Sequence, residues 1–160
     1  FGFGSGGGVI FGVTGGVTEA VLRRLQQGHN RVDMESIKKS GVRGDDGIKV
    51  LTYNYNGREI KAAVVNGLAN ADKVLQQIKN HEAEYEFVEV MACRRGCIMG
   101  GGQPVNAGPR TRKARMKGLY DTDVNTQIKK SNENPMILSL YDTLLKGKEH
   151  ELLHRNFSGK

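Results

Sequence analysis

Asn56-Gly57 sits between two runs rich in β-branched and aromatic residues, Ile48 to Tyr55 and Arg58 to Val65. Asn and Gly tolerate the positive φ of a two-residue type I′ turn, whose twist matches that of the strands it joins. An antiparallel hairpin is therefore predicted, and a hairpin needs a packed face to be stable. Helical patterns on both sides supply the cover. Upstream, Val9 to Gln27 sets Val13, Val17, Ala20, Val21 and Leu25 at helical spacing, with Glu19 early and Arg23 and Arg24 late, as the macrodipole favours. Gly28 is the expected stop. Arg31 to Gly47 is a polar excursion with at most a short helix. Downstream, Ala69 to Asn80 reads as a helix with Val74, Leu75 and Ile78 inward, and Tyr85 to Met91 as a further, buried strand. Gly100 to Pro109 is loop. Arg110 to Ile128 is helical and basic at its start. Asn134-Pro135 opens another helix, with Ile137, Leu138, Tyr141, Leu144 and Leu145 as its apolar stripe, and Glu149 to His154 forms a short last one. The predicted class is α/β: a small sheet flanked by helices, then C-terminal helices, with functional sites at loop ends.

At 160 residues, 38% hydrophobic and 26% charged, the chain suits one domain, or one lobe of a larger one. No stretch reaches the roughly 20 apolar residues of a membrane span, and no signal-peptide pattern is visible; the expected compartment is the cytoplasm, or an organelle or the periplasm where a targeting segment precedes Phe1. Two cysteines are too few for a secreted disulfide framework. A formal charge of +7 suggests acidic partners without identifying them. The chain begins at Phe1 and reads as a piece of something longer.

Three motifs invite chemistry that their context denies. Gly2 to Gly7 matches G-x-G-x-x-G, but a dinucleotide fingerprint needs a strand before it. The glycines, Gly15-Gly16 included, instead let backbone approach something bulky. His150-Glu151-Leu152-Leu153-His154 matches the zinc-peptidase H-E-x-x-H, yet no His, Asp, Glu or Cys follows to complete a catalytic zinc. A C-terminal amphipathic helix with Leu152 and Leu153 inward is the favoured reading. Arg110 to Lys117 carries five cations in eight residues. Without interleaved aromatics for base stacking, it reads as a solvated helix face rather than a nucleic-acid surface, and docking of an acidic electron-transfer partner is a second reading.

The strongest constellation runs from Glu89 through Met91, Cys93, Cys97 and Gly100-Gly101-Gly102 to Gln103-Pro104. Two thiols four apart, at a strand end and before a glycine triplet, suit iron–sulfur ligation, because thiolates bind iron and glycines let backbone amides approach the sulfides. Arg94 and Arg95 are placed to lower thiol pKa values and to offset an anionic cluster. A cubane wants four thiolates and the chain has two. Two buried structural cysteines are the competing reading.

Glu89 to Pro104 resembles the third cysteine motif of the iron-only (FeFe) hydrogenases, roughly E-V-M-A-C-x-G-G-C-x-x-G-G-G-Q-P. Gly8 to Ala20 resembles the family's G-V-I-F-G-x-T-G-G-V-M-E-A. Val42-Arg43-Gly44, Gly47-Ile48-Lys49, Val65-Asn66-Gly67, Asn70-Ala71, Leu119-Tyr120, Asn134-Pro135, Leu140-Tyr141 and His150 to His154 follow in family order. The resemblance covers essentially the whole chain. It implies that residues 1–160 are a C-terminal portion of the large-subunit domain, one lobe of a two-lobed fold with the cluster between lobes. It implies an H-cluster, a 4Fe–4S cubane joined through a cysteine sulfur to a two-iron unit. Cys93 would ligate the cubane and Cys97 would bridge to the two-iron unit; Met91, Phe11 and Gly12 would line that unit's pocket. The implied activity is reversible reduction of protons to hydrogen with electrons from ferredoxin or another electron carrier. The remaining ligands and the proton-relay residues would lie upstream of Phe1, on the rest of the hydrogenase chain, so the isolated piece is expected to be inactive. No nucleic-acid or membrane partner is implied.

The departures are specific. Arg95 stands where the family usually has glycine, Arg94 and Met99 where it has small residues or proline, Thr18 where it has methionine, and Asn132 where it has histidine. A non-catalytic iron–sulfur assembly or sensory protein on the same scaffold is the alternative, and a zinc peptidase a remote one.

Overall fold

The computed structural model describes residues 3–28, 32–44, 47–105 and 108–154. Gly2 of the glycine match, residues 106–107 of the predicted loop and residues 155–160 lie outside them. The hairpin forms as its turn dictates: β1 (Ile48–Tyr55) pairs antiparallel with β2 (Arg58–Asn66), opposing Tyr55 to Arg58 and Ile48 to Val65. Asn56 and Gly57 both take positive φ, 52° and 81°. After β2 the chain crosses over through α4 (Leu68–Lys79) and returns as β3 (Phe87–Met91), parallel to β2, giving the order β1-β2-β3. The central strand is buried on both faces. Ala62 and Val64 meet Leu51, with Leu22 of α2 (Gly16–Leu25) and Ile37 of α3 (Met34–Lys39); Ala63 and Val65 meet Ala71 and Val74 of α4.

Four expectations are corrected. The helix predicted over Val9–Gln27 is broken into α1 (Gly6–Val9), a 3-10 turn (Ile10–Gly12) and α2. The break falls at Gly15, φ 87°, where a Cβ would stand 2.2 Å from the Val42 carbonyl oxygen, too close for any side chain. The break also frees Val13 to join Ile10 and Ile98 in a separate apolar cluster. On α2 itself the buried face is Thr18, Glu19, Leu22 and Arg23, with Val17, Ala20, Val21 and Leu25 only half-buried. In α4, Val74 is buried, but Leu75 is 60% exposed and Ile78 faces outward, because the sheet covers only a narrow stripe of the helix. Along the C-terminal helices α6 (Pro135–Asp142) and α7 (Glu149–Leu153), Leu138, Tyr141, Leu144, Leu152 and Leu153 are exposed; Leu145, just beyond α6, is buried. The remaining long helix, α5 (Pro109–Asn125), starts with proline at its first position and lies across the α1 end of the molecule.

A buried ion cluster joins α5 to α2. Arg23 is fully buried and grips Asp123 with two parallel hydrogen bonds, Nη1 to Oδ1 at 2.7 Å and Nη2 to Oδ2 at 2.6 Å, and also donates to Glu19. Glu19 in turn accepts a two-pronged contact from Arg43, whose guanidinium lies 4.1 Å over the Tyr120 ring. Burial alone would lower the Arg23 pKa; the hydrogen bonds to Asp123 and the charge of Glu19 outweigh it, and the pKa is raised. Burial, followed by the Glu19 charge, pushes the Tyr120 hydroxyl up to about 12.

Removing Asp123 strands the Arg23 charge without most of its partners, so Asp123→Ala should cost roughly 3–5 kcal/mol in denaturant unfolding. A raised tyrosine pKa means that the unfolded chain loses that proton first. Stability should therefore fall as pH rises from the ordinary tyrosine value near 10 towards 12. Unfolding titrations should show the decline in the natural chain and a shallower one in Tyr120→Phe.

Candidate functional site

β3 is a partly covered edge strand in this structure, not a buried one: Glu89 and Met91 face inward while Val90 is 47% exposed. Phe87, Glu89 and Met91 share a side by the two-residue period of a strand, and that side faces α2. An acid at an inward position must find donors. Glu89 finds three: its Oε1 accepts the Gly15 N–H at 2.8 Å, and its Oε2 accepts the Thr18 N–H and the Thr18 hydroxyl at 2.7 Å each. The carboxylate thus caps the positive end of α2.

Beyond Met91 the backbone turns through Cys93, Arg94, Arg95 and Gly96 into a 3-10 turn, Cys97–Met99. Gly96 (φ 80°) lies so close to the 3-10 segment after α1 that a Cβ would stand 2.8 Å from the Gly12 oxygen and 3.2 Å from the Thr14 nitrogen. Its N–H returns to the Cys93 carbonyl at 2.9 Å. From the sheet, the Asn66 Oδ1 accepts the Arg95 N–H at 2.7 Å. From α5, Arg115 donates to the Ile98 and Pro104 carbonyls. The thiol loop is thereby held from three directions.

Both cysteines are free and exposed, which removes the reading of two buried structural thiols. Phe11 is 45% exposed, Gly12 half-buried, and Met91 buried at the strand end. The loop therefore joins Cys93 and Cys97 to the backbone of Gly12, and Met91 enters it directly. The basic run divides: Arg110, Lys113 and Lys117 are exposed, while Arg115 turns to the thiol loop. His150 and His154 stack their rings 4.8 Å apart. Among the described residues no group of three or more His, Cys, Asp or Glu converges as a metal site, so neither a zinc triad nor a full set of cubane ligands is present there.

Glu89 and Asn66 lie within sequence motifs, but residue order alone assigns neither a role. The signal for Glu89 was available, since a charged residue at an inward strand position calls for buried donors. Asn66 and Arg115 had no such signal, because their partners are backbone groups brought near only by folding.

Residues 1–101 match the family profile described as iron only hydrogenase large subunit, C-terminal domain. This chain belongs to the iron-only hydrogenase family. Residues 109–160 match the profile described as iron hydrogenase small subunit. The chain is 38% identical over 160 residues to iron hydrogenase 1 of Clostridium pasteurianum, covering 94% of this chain and 28% of that protein. It is 45% identical over 104 residues to the periplasmic iron hydrogenase large subunit of Nitratidesulfovibrio vulgaris, covering 65% and 25%. A solved FeFe-hydrogenase variant from Chlamydomonas reinhardtii superposes with a TM-score of 0.61 at 34% identity, over 94% of this chain and 46% of that one. More distant is a probable cytosolic Fe–S cluster assembly factor of Aedes aegypti, 27% identical over 154 residues, or 90% of this chain and 31% of that protein. The chain thus spans between a quarter and a third of the length of these curated relatives. The mixed α/β fold is that of the hydrogenase domain. Among the described residues no helix is long and apolar enough to cross a membrane.

Arg95, at the usual glycine position, keeps a glycine-like φ of 73°. Left-handed backbone costs a residue with a Cβ about 1–2 kcal/mol, partly offset by the larger chain entropy of glycine when unfolded. Arg95→Gly should accordingly raise stability by about 0.5–1 kcal/mol, read from the shift in denaturant midpoint.

Proposed function

We propose that this chain forms one wall of the H-cluster site of an FeFe hydrogenase that reversibly reduces protons to hydrogen. The observation that carries the reading is the pair of exposed thiols on a loop whose Gly96 backbone is seated on the Gly12–Thr14 backbone. The residues fit the group in part. Cys93 and Cys97 are two soft thiolate donors of the kind that bind iron. A Cβ at Gly100 would stand 3.5 Å from the Cys93 sulfur, so its absence leaves space beside that thiol. The Thr14 hydroxyl, in the segment that seats Gly96, is buried with no partner among the described residues and is a spare donor of the kind that a cluster sulfur accepts from. Two of the four thiolates of a cubane are accounted for by these residues. The others, and the proton-relay residues, belong in this reading to the rest of the hydrogenase chain.

In this reading Cys93 would ligate the cubane and Cys97 would bridge it to the two-iron unit. Met91, Phe11 and Gly12 form the apolar side of the pocket and keep water from it. When bound, the H-cluster supplies the two-electron chemistry, and the protein supplies orientation, dryness and electrostatics. Electrons come from ferredoxin, and the enzyme works in the cytoplasm. Isolated residues 1–160, with two thiolates, are inactive alone.

In the complete protein, matured anaerobically, Cys97→Ala should abolish hydrogen evolution from reduced methyl viologen and lower the iron bound per chain. Turnover retained in that variant would remove Cys97 from the site. Iron binding without any turnover in the natural protein would favour the assembly or sensory alternative.

A further inference from the structure

Two tethers close a ring of backbone around the thiol loop. One is the seat of Gly96 against Gly12 and Thr14. The other is Glu89, whose carboxylate takes the N–H groups of Gly15 and Thr18 and the Thr18 hydroxyl. Between them the chain runs on one side through Met91 and Cys93, and on the other from Gly12 to the first turn of α2. The relative position of the two thiols and the Phe11–Gly12 wall is set where both tethers hold. Glu89 is buried, so each hydrogen bond to its carboxylate counts. The hydroxyl of Thr18, itself buried, is the one side-chain donor among the three and the one that substitution can remove without disturbing the backbone.

We propose that Thr18 is a positioning residue for the Cys93–Cys97 loop: its hydroxyl fixes the Glu89 carboxylate, and the carboxylate fixes the loop against the Phe11–Gly12 wall. The importance of that loop rests on the reading of Cys93 and Cys97 as cluster ligands. The coupling itself is a property of the iron-free chain and is tested there.

The test is amide hydrogen exchange in the full-length, iron-free protein, with the peptide over residues 92–98 as the readout and α4 as internal control. Thr18→Val, close in shape but without the hydroxyl, should speed exchange across 92–98 about tenfold, the factor expected for losing a hydrogen bond to a charged group. Exchange in α4 should stay as in the natural chain, and Thr18→Ser should restore the slow loop. Unchanged exchange at 92–98 in Thr18→Val overturns the proposal. So does equal acceleration in the loop and α4, which marks global destabilisation, and so does failure of serine to rescue. Reconstitution with iron and sulfide is scored separately. A natural full-length chain that takes up no iron overturns the ligand reading on which the loop's importance rests, whatever the exchange data show.

Discussion

A guanidinium buried with two carboxylates is tolerable only when nearly every charge has a partner in good geometry. Arg23 meets that condition through a fork onto Asp123 and a further bond to Glu19, and Arg43 neutralises what remains on Glu19. The cluster joins a residue of α2, within the part of the chain that matches the large-subunit profile, to a residue of α5, within the part that matches the small-subunit profile. Backbone bonds from Gly6 and Gly7 to the Ile128 and Lys129 carbonyls, and a bond from the Asn134 side-chain amide to the Phe3 carbonyl, follow the same seam. An apolar contact would tolerate sliding along that seam; a forked ion pair allows one arrangement.

Helix α2 is then a fixed beam, since distant side chains hold both of its ends. Glu89 brings a negative charge to its N-terminal N–H groups. At the other end Lys130, itself buried, donates to the Gln26 and Gly28 carbonyls. Each charge has the sign that the macrodipole favours. Because Glu89 lies two residues before Met91 on the same strand, the capping interaction also sets where β3 ends and the thiol loop begins. The site is thus built from helix capping and one close glycine contact rather than from a deep pocket.

Much of this was legible in residue order. The Asn56-Gly57 hairpin, α4, the Asn134-Pro135 helix start and the cysteine motif were each readable, because turn chemistry, proline geometry and thiol spacing are local; Pro109 read as the end of a loop and instead opens α5. The helix predicted across Val9–Gln27 failed for a physical reason: apolar spacing alone does not report that Gly15 must leave room for the Val42 carbonyl. Arg23 read only as a macrodipole partner late in the helix, and the arrival of Asp123, 100 residues away, makes its burial tolerable. Leu75, Ile78 and the apolar side chains of α6 and α7 read as inward because periodicity marks a face without saying what covers it.

What the sequence by itself determined are the elements and the donors: where strands turn, where helices start, which two residues carry thiols, and which family those motifs resemble. These follow from interactions between near neighbours in the chain. Tertiary structure alone decided that the thiols are exposed rather than buried, that Glu89 caps α2, that Asn66 and Arg115 brace the loop, and that Arg23 is interior. Each of these depends on groups separated by tens of residues, whose pairing is chosen by which buried charge can be satisfied where.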